Sequence, residues 1–291
     1  MDGMEGHGRQ GRGGAGRDGE LSALLADALA PVRSRCEGRP AVAVREADTP
    51  RAAVSGDGLY VAASVMKVNI LAALLPGRQD EPSGRARELT VAGEVTAAAG
   101  TAGADPWELS ARESAQAEAV IERSDNDAAN ALWRAAGGAE GIARANRRLG
   151  LTRTEPHRSD RWGLSCTTAA DQLTLLEAVF GRGEDAPGRL ADGARERIRE
   201  PMGRAVGPQR WGVTAAGASR APVELKNGWL PRTATGLWVL NSVGRVTAVG
   251  RSWLLAVLGR AHHPRGRDRA GGGGRVCRRR RALAGKPQRP Q

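Results

Sequence analysis

Ser64 and Lys67 lie three residues apart in a segment that could carry nucleophilic chemistry. The mostly apolar residues that follow, Val68–Leu75, predict a buried helix that begins near the serine. Because three residues make about one helical turn, the two side chains would lie on the same face. Burial lowers the pKa of an amine, so Lys67 could take the proton of Ser64 and make it a nucleophile. Taken alone, the pair is more often an N-cap serine beside a lysine that extends to solvent.

Two further motifs along the chain favour the catalytic interpretation. Ser124-Asp125-Asn126 follows a helical run, and Lys226-Asn227-Gly228 lies between segments that are predicted to be strands. Together with the Ser-x-x-Lys pair, their order and spacing resemble the class A β-lactamase and penicillin-binding-protein family of serine enzymes. The third motif departs from the family's pattern at Asn227, where the family has threonine. The resemblance covers about residues 20–258.

This resemblance implies acyl transfer through Ser64 on a β-lactam or a related amide or ester. Lys67 is then the base or proton relay, and Ser124 carries the proton to the leaving nitrogen. The backbone N–H groups of Ser64 and Trp229 would form the oxyanion hole. Two alternatives stay open: a penicillin-binding-type peptidase or esterase that acts on a D-amino-acid peptide, and a β-lactam-binding protein that is acylated once without hydrolysis.

The resemblance also implies a set of substrate-binding residues. Asn126 would hydrogen-bond the acyl-amide side chain of the substrate. Lys226 would supply positive charge for the substrate carboxylate and lower the pKa of Lys67 by repulsion between like charges. Gly228 would let a strand approach the substrate closely. Asn130 is interpreted as structural, bracing a neighbouring loop.

The loop that begins after residue 150 is where the chain departs most from the family. Class A β-lactamases carry the pattern Arg-x-Glu-x-x-Leu-Asn there, whose glutamate activates the deacylating water. Arg153 and Glu155 match its first half, but Arg158 and Ser159 stand where leucine and asparagine are expected. Glu155 is therefore the candidate deacylation base, with a solvated loop carboxylate as the alternative and Asp160 as the next candidate. The altered water site predicts slow deacylation.

The cysteine and histidine content gives no support to other catalytic chemistries. The three cysteines are far apart and show neither a disulfide framework nor zinc-ligand spacing. Of the four histidines only His157 lies in the central part of the chain, and no Gly-x-Ser-x-Gly motif is present to supply a triad serine. No metal ion or cofactor is therefore expected, and the expected partner is a small-molecule substrate.

The net charge of +12 is concentrated at the C-terminus. Residues 260–291 carry ten arginines and one lysine against one aspartate, and the rest of the chain is nearly neutral. One interpretation of this low-complexity tail is an arm that binds nucleic acid or another anionic surface. The favoured interpretation is a shifted reading frame near codon 260, because Arg, Gly and Pro abruptly replace the amphipathic helix that the family has there.

The N-terminal segment, residues 1–19, is rich in glycine and charge and is expected to be disordered. It contains no apolar stretch of the kind found in secretory signals. No run along the chain reaches the length of a transmembrane helix, so no membrane partner is expected. The chain as written is therefore expected to be cytoplasmic, and secreted only if its true start differs.

The remaining pattern predicts an α+β domain over residues 20–259, with a mostly antiparallel sheet built from both chain ends and an inserted helical subdomain. Strands are predicted at residues 40–44, 59–62, 223–229, 235–243 and 252–258, with the first two joined by a turn region from Asp48 to Asp57. Helices are predicted at residues 20–30, ending near Pro31, and at 108–133, 139–149 and 167–180. The resemblance places the catalytic cleft where sheet and helices meet.

Overall fold

The computed structural model describes residues 13–35, 38, 40–77, 109–181, 190–217 and 221–262. The helices in these ranges are α1 (Gly13–Arg35), α2 (Met66–Gly77), α3 (Ala111–Glu118), α4 (Asn126–Ala135), α5 (Gly138–Arg148), α6 (Ala169–Phe180) and α7 (Asp192–Gly203). The strands are β1 (Ala41–Glu46), β2 (Ala52–Ser55), β3 (Tyr60–Val61), β4 (Cys166–Thr167), β5 (Val223–Arg232), β6 (Leu237–Ala248) and β7 (Arg251–His262).

The large sheet combines both ends of the chain. Its strand order is β2-β1-β7-β6-β5, and every neighbouring pair is antiparallel. The first strand, β1, pairs with the last, β7, so that Ala43 lies opposite Ala256. The predicted α+β class is confirmed, and so is the predicted meander at the C-terminal end, whose strands are longer than expected.

Both faces of this sheet are covered. Successive side chains of a strand point to opposite faces, so alternate residues of β7 enter different clusters. Leu254 and Ala256 are buried in the main core, which the sheet shares with the helical subdomain. On the other face, Trp253 and Leu255 pack against Leu21 of α1. Helix α1 therefore covers part of this second face of the sheet.

Helix α2 is the centre of the helical subdomain. Its residues Val68, Ile70 and Leu71 have no exposed surface. Because the helix is apolar on nearly all sides, it is enclosed by other helices, and α4, α5 and α7 contact it. This arrangement confirms the predicted insertion and puts Lys67, in the first turn of α2, in the interior of the protein.

The N-terminal strands pair differently from the prediction. β1 forms a hairpin with β2, a segment that the sequence analysis assigned to the turn between Asp48 and Asp57. The chain reverses earlier because Asp48 adopts a positive φ of 65°. Strand β3 pairs with β4 instead of β1. The residues just before Ser64 are thus held by the loop that precedes α6.

The terminal segments also differ from the prediction. Helix α1 begins at Gly13 and continues through Pro31 to Arg35, so the predicted disorder is wrong for residues 13–19 and the predicted helix end is wrong. Pro31 is exposed, so water can satisfy the carbonyl that it leaves without an N–H partner. Strand β7 continues beyond the predicted boundary at residue 259. The predictions for residues 1–12 and 263–291 lie outside the described residues.

Helix α7 was not predicted. Its buried residues Ala194, Ile198 and Met202 recur every fourth position, but charged residues between them and Pro201 within the helix obscure the pattern. None of the helices in the described ranges is long and apolar enough to cross a membrane.

Candidate active site

Ser64 lies in a tight turn that joins β3 to α2. Ala63–Val65 form one turn of 3₁₀ helix, and α2 follows at Met66. Ala63 adopts a φ of 49°, a conformation that residues with a Cβ adopt rarely and that occurs often at functional sites. Ala63 and Val65 are buried, whereas Ser64 is partly exposed and lines a cleft. The turn therefore presents the serine to the cleft and buries its neighbours.

Ser124 is placed by a similar break between two helices. A stretch of π-helix, Ala119–Arg123, continues α3 and ends at Ser124, which has a φ of 59°. Asp125 then caps α4 by accepting a hydrogen bond from the backbone N–H of Ala128 at 2.8 Å. Short π-helical segments occur frequently at functional sites. The predicted interruption of the helical run is confirmed, and it turns Ser124 towards the lysines.

Lys67 is completely buried, and its ammonium group has three acceptors. Nζ donates to the backbone oxygen of Ser124 at 2.7 Å, to Ser124 Oγ at 3.0 Å and to Asn126 Oδ1 at 2.8 Å. Three acceptors match the three N–H bonds of an ammonium, so the protonated form is fully satisfied. Loss of one proton creates a lone pair that can accept a proton from a neighbouring hydroxyl.

Lys226 approaches the same serine from the sheet. Its Nζ donates to Ser124 Oγ at 3.0 Å and to the backbone oxygen of Asn227 at 2.9 Å, and the side chain is 1% exposed. Ser124 Oγ thus lies between two lysine nitrogens. The structure therefore brings together Lys67 and Ser124, predicted to transfer protons, and Lys226, predicted to bind the substrate carboxylate.

Burial is the main cause of the lowered pKa values of both lysines. It lowers the pKa of Lys67 to about 7, against the opposing effect of the Asp125 carboxylate. The pKa of Lys226 also lies well below its usual range, first because of burial and second because of the positive charge of Lys67. The repulsion between the lysines was predicted to act on Lys67. Repulsion between like charges is mutual, and in this structure it contributes to the lowered pKa of Lys226.

The pKa of Lys67 can be measured directly, because the chain contains three lysines, Lys67, Lys226 and Lys286. NMR titration of protein labelled with ¹³C at lysine Cε is expected to show one resonance that titrates near pH 7. The Lys286→Arg variant identifies the resonance of Lys286, which belongs to none of the three motifs. A Lys67 resonance that titrates above pH 10, as a solvated lysine does, would contradict the proposed base.

Gly228 brings β5 against the turn that carries Ser64. A Cβ added at Gly228 would lie 2.7 Å from the backbone nitrogens of both Ser64 and Val65 and 3.1 Å from the backbone oxygen of Ala62. Glycine is therefore required because β5 lies directly against the backbone of the Ser64 turn. The sequence analysis had attributed this glycine to a close approach to substrate. This approach also brings the backbone of the next residue, Trp229, towards Ser64, as the predicted oxyanion hole requires.

We expect Gly228→Ala to destabilise the Ser64 turn and to slow acylation. Backbone atoms cannot move aside as a flexible side chain can, so the added methyl group should cost about 1–3 kcal/mol of stability. The matched control is Gly207→Ala, because an added Cβ meets nothing within 4 Å at Gly207. Thermal unfolding and the rate of acylation by a chromogenic cephalosporin measure the two effects. Equal values for the two variants would contradict the close approach.

Three asparagines surround the site with different roles. Asn126 uses its Oδ1 for Lys67, which leaves its NH₂ group for the cleft that it lines. Asn130 Oδ1 accepts from Trp162 Nε1 at 2.8 Å, which confirms the predicted bracing of a loop. Asn227 has no exposed surface and donates through Nδ2 to the backbone oxygens of Gln209 and Trp211. Asn227, which departs from the family motif, thus connects β5 to the segment that contains Gln209 and Trp211.

The cleft in front of Ser64 has a volume of about 490 Å³. Its lining combines polar residues of the motifs with aromatic and apolar residues from the sheet and from the loop before α6. These residues are Ala63, Ser64, Ser124, Asn126, Asp127, Asn130, Asp160, Arg161, Trp162, Gly163, Leu164, Trp229, Leu230, Pro231 and Trp238. No group of side chains suited to a metal ion occurs among the described residues.

The sequence of residues 23–271 matches the profile of the beta-lactamase enzyme family. The chain belongs to that family. No curated protein sequence matches the chain.

Similar solved structures support the same fold. TLA-3 extended-spectrum beta-lactamase is 16% identical with a TM-score of 0.62, and the match covers 85% of this chain and 92% of that one. A beta-lactamase from Desulfarculus baarsii DSM 2075 is 22% identical with a TM-score of 0.61, covering 84% and 90%. A mutant of PBP-A, in an acyl-enzyme complex with penicillin G, is 23% identical with a TM-score of 0.58, covering 86% and 89%.

Compared with the pattern of class A beta-lactamases, the loop before α6 departs most. Glu155 pairs with Cys166 through backbone hydrogen bonds of 2.8 and 3.0 Å, its side chain is exposed, and it is not among the residues that line the cleft. Glu155 as the deacylation base therefore stays a prediction, and its side chain does not line the cleft in this structure. The loop carboxylate that lines the cleft is Asp160, whose side chain is 73% exposed and faces Arg134 at 3.9 Å.

Trp162 is the residue of this loop that reaches the lysine, and sequence reasoning missed it. Its ring centroid lies 4.9 Å from Lys67 Nζ, and the residue is 8% exposed. A signal was available in the sequence: a lone tryptophan directly after the charged run from Arg158 to Arg161, in a chain with only 3% aromatic residues. Such a residue needs a buried place, and the interior beside Lys67 provides it.

Proposed function

We propose that this member of the beta-lactamase family forms an acyl-enzyme through Ser64 on a β-lactam or a related amide or ester and releases it slowly. One observation carries the proposal: Ser124 Oγ lies 3.0 Å from both Lys67 Nζ and Lys226 Nζ, and Ser124 lines the same cleft as Ser64. A buried lysine with a pKa of about 7 has little structural use, because burial of a cation costs stability. It does suit a base that works near neutral pH.

In the proposed acylation, Ser64 Oγ attacks the carbonyl carbon and its proton passes to neutral Lys67. The tetrahedral oxyanion is stabilised by the backbone N–H groups of Ser64 and Trp229. As the C–N bond breaks, Ser124 donates its proton to the leaving nitrogen and is reprotonated from Lys67. The products are an ester on Ser64 and a free amine, and Lys67 returns to its neutral form.

Substrate binding would use the two remaining polar residues of the motifs. The free NH₂ group of Asn126 faces the cleft and can donate to the amide oxygen of an acyl side chain. A substrate carboxylate near Ser124 would raise the pKa of Lys226, because an opposite charge favours the protonated amine. Lys226 would then supply positive charge to the substrate carboxylate.

The predicted slow release follows from the loop before α6. Hydrolysis of the acyl-enzyme needs a base that directs water at the ester carbon. The carboxylates that line the cleft, Asp127 and Asp160, are exposed, and Glu155 is not among the lining residues. The similarity in fold to PBP-A, whose mutant forms an acyl-enzyme complex with penicillin G, fits a site that acylates and holds its product.

Glu155→Gln is expected to leave the acyl-enzyme lifetime unchanged, within about twofold. An exposed side chain outside the cleft cannot direct water to the ester on Ser64. Asp160→Asn serves as the comparison, because Asp160 lines the cleft. Lifetimes are read by intact-mass spectrometry after excess antibiotic is removed. A clearly longer lifetime in the Glu155 variant alone would restore the original interpretation of that residue.

The proposal is tested by intact-mass spectrometry after incubation with benzylpenicillin. We expect the mass of one intact antibiotic per chain, located by peptide mapping on the segment that contains Ser64, and we expect the adduct to outlast removal of the free antibiotic. A protein that stays unmodified and does not consume the antibiotic would refute the acyl-enzyme. Rapid consumption without accumulation of an adduct would refute slow release alone.

A penicillin-binding-type peptidase or esterase is the second candidate. Two observations favour it as well: Ser124 contacts both Lys67 and Lys226, and the carboxylates that line the cleft are exposed. Such an enzyme would cleave a peptide or ester that ends in D-alanyl-D-alanine, and β-lactams would act as inhibitors. Measuring release of D-alanine alongside penicillin consumption separates the two candidates.

A further inference from the structure

Trp162 is fixed beside the catalytic lysine by contacts on both sides of its ring. It begins a 3₁₀ turn, Trp162–Leu164, in the loop before α6. Its Nε1 donates to Asn130 Oδ1 at 2.8 Å, which holds the ring edge against α4. Its ring centroid lies 4.9 Å from Lys67 Nζ, within the range of a cation–π contact.

The loop itself is anchored to α2 and α6 through buried polar groups. Thr154 Oγ1 donates to Asp171 Oδ2 at 2.6 Å and lies 2.8 Å from Thr167 Oγ1. Gln172 Nε2 donates to Thr167 Oγ1 at 3.1 Å and to Oδ1 of Asn69, in α2, at 3.2 Å. A buried network of this kind fixes a unique arrangement. The indole therefore cannot move away from Lys67 without breaking hydrogen bonds in the interior.

The ring and the hydrogen-bond acceptors together enclose the lysine nitrogen. Oxygens of Ser124 and Asn126 occupy the three hydrogen-bonding directions of Nζ, the indole lies beside it, and Lys67 has no exposed surface. Hydrolysis assisted by Lys67 requires a water that hydrogen-bonds to Nζ and lies close enough to the ester carbonyl carbon to attack it. The water would transfer a proton to Lys67 as its oxygen bonds to the carbonyl carbon, and Ser64 Oγ would leave and be reprotonated.

We propose that Trp162 is a positioning residue that keeps water away from Lys67 and thereby prolongs the life of the acyl-enzyme. This inference rests on the proposed function and adds a cause for the slow release. We expect the ring to leave acylation unhindered, because Ser64 lies one helical turn before Lys67, on the same face. The position of Glu155 outside the cleft lining and the indole of Trp162 beside Lys67 are separate features, and only the second is removed by changing Trp162.

The first test compares Trp162→Ala with Trp162→Phe. After acylation by benzylpenicillin and removal of the excess, intact-mass spectrometry follows the loss of the adduct. Because water gains access only when the ring is gone, we expect the adduct of the alanine variant to disappear at least about tenfold faster than that of the unaltered protein, and that of the phenylalanine variant to stay within about threefold. An alanine variant that acylates and keeps its adduct as long as the unaltered protein would overturn the proposal.

The second test does not depend on acylation. NMR titration of the ¹³C-labelled lysines should show the pKa of Lys67 higher in Trp162→Ala than in the unaltered protein, with the phenylalanine variant close to the unaltered value. The charged groups that face Lys67, the Asp125 carboxylate and the Lys226 amine, are the same in all three proteins. An unchanged pKa in a folded alanine variant, verified by its thermal unfolding, would refute the shielding. Failure of the unaltered protein to form any adduct would refute the proposed function, and the titration would still decide the role of Trp162.

Discussion

Replacing Ser64 with alanine is expected to abolish the covalent adduct with benzylpenicillin. Only the side-chain oxygen of Ser64 can form the ester, so its removal leaves no acyl-enzyme pathway. Loss of a serine nucleophile in a comparable site lowers kcat by about 10⁶, so any residual hydrolysis should be close to the uncatalysed rate. Among the described residues, Ser64 Oγ makes no hydrogen bond, and the side chain is partly exposed. The fold should therefore tolerate the change, and the loss should be chemical.

The matched control for this substitution is Ser159→Ala. Ser159 is an exposed serine of the loop before α6 that is not among the cleft residues. The control should form its adduct at the normal rate. Thermal unfolding of both variants shows that the comparison concerns chemistry and not folding. Should the adduct persist in Ser64→Ala, peptide mapping would identify the true nucleophile, and the assignment of Ser64 would be lost.

Much of the catalytic geometry could be predicted because it depends on short local motifs. The three-residue spacing of Ser64 and Lys67 requires them to share a helical face, and the structure has that helix. The meeting of Lys67, Ser124 and Lys226 could not be derived from periodicity, since it joins a helix, a helix break and a strand. The resemblance to a known family supplied that part of the prediction.

The errors concern contacts between segments that are distant in the sequence. Strand β3 has two residues, and its partner is β4, more than a hundred residues later, so no local pattern could reveal the pairing. The backbone pairing of Glu155 with Cys166 was likewise not visible in the sequence, and the role of Glu155, inferred from half of a motif, stays a prediction. The place of Trp162 depends on the same loop. Sequence patterns identify residue types suited to chemistry, and tertiary pairing decides which of them reach the cleft.

Asn227 shows how a departure from a motif can be read once the contacts are visible. In this chain its side chain points away from Lys226 and supports two backbone oxygens through Nδ2 at 2.6 and 3.1 Å. Its Oδ1 is buried without a hydrogen-bond partner among the described residues. Hydrogen bonds to the segment around Trp211 therefore hold the Asn227 side chain on one face of β5. The side chain does not disturb Lys226, which lies on the other face, or Lys67, which Lys226 faces across Ser124.

Replacing Lys67 should slow acylation far more than it weakens binding. A general base acts on the transition state, so kcat/KM for acylation is expected to fall by about 10²–10⁴ in Lys67→Ala, while the dissociation constant of the noncovalent complex changes little. In Lys67→Arg the positive charge remains but proton acceptance is lost, because guanidinium keeps its proton at any ordinary pH. Lys286→Ala, which changes the lysine that belongs to none of the three motifs, is the control and should acylate normally.

The pH dependence separates a base from a merely structural lysine. Only the neutral amine accepts a proton, and the pKa of Lys67 is about 7. The acylation rate of the unaltered protein should therefore fall about tenfold for each unit of pH below 7 and level off above about pH 8. Lys67→Ala should lose this dependence together with the rate. A profile that keeps its shape in Lys67→Ala, or an acylation rate equal to that of the unaltered protein, would show that another group takes the proton of Ser64.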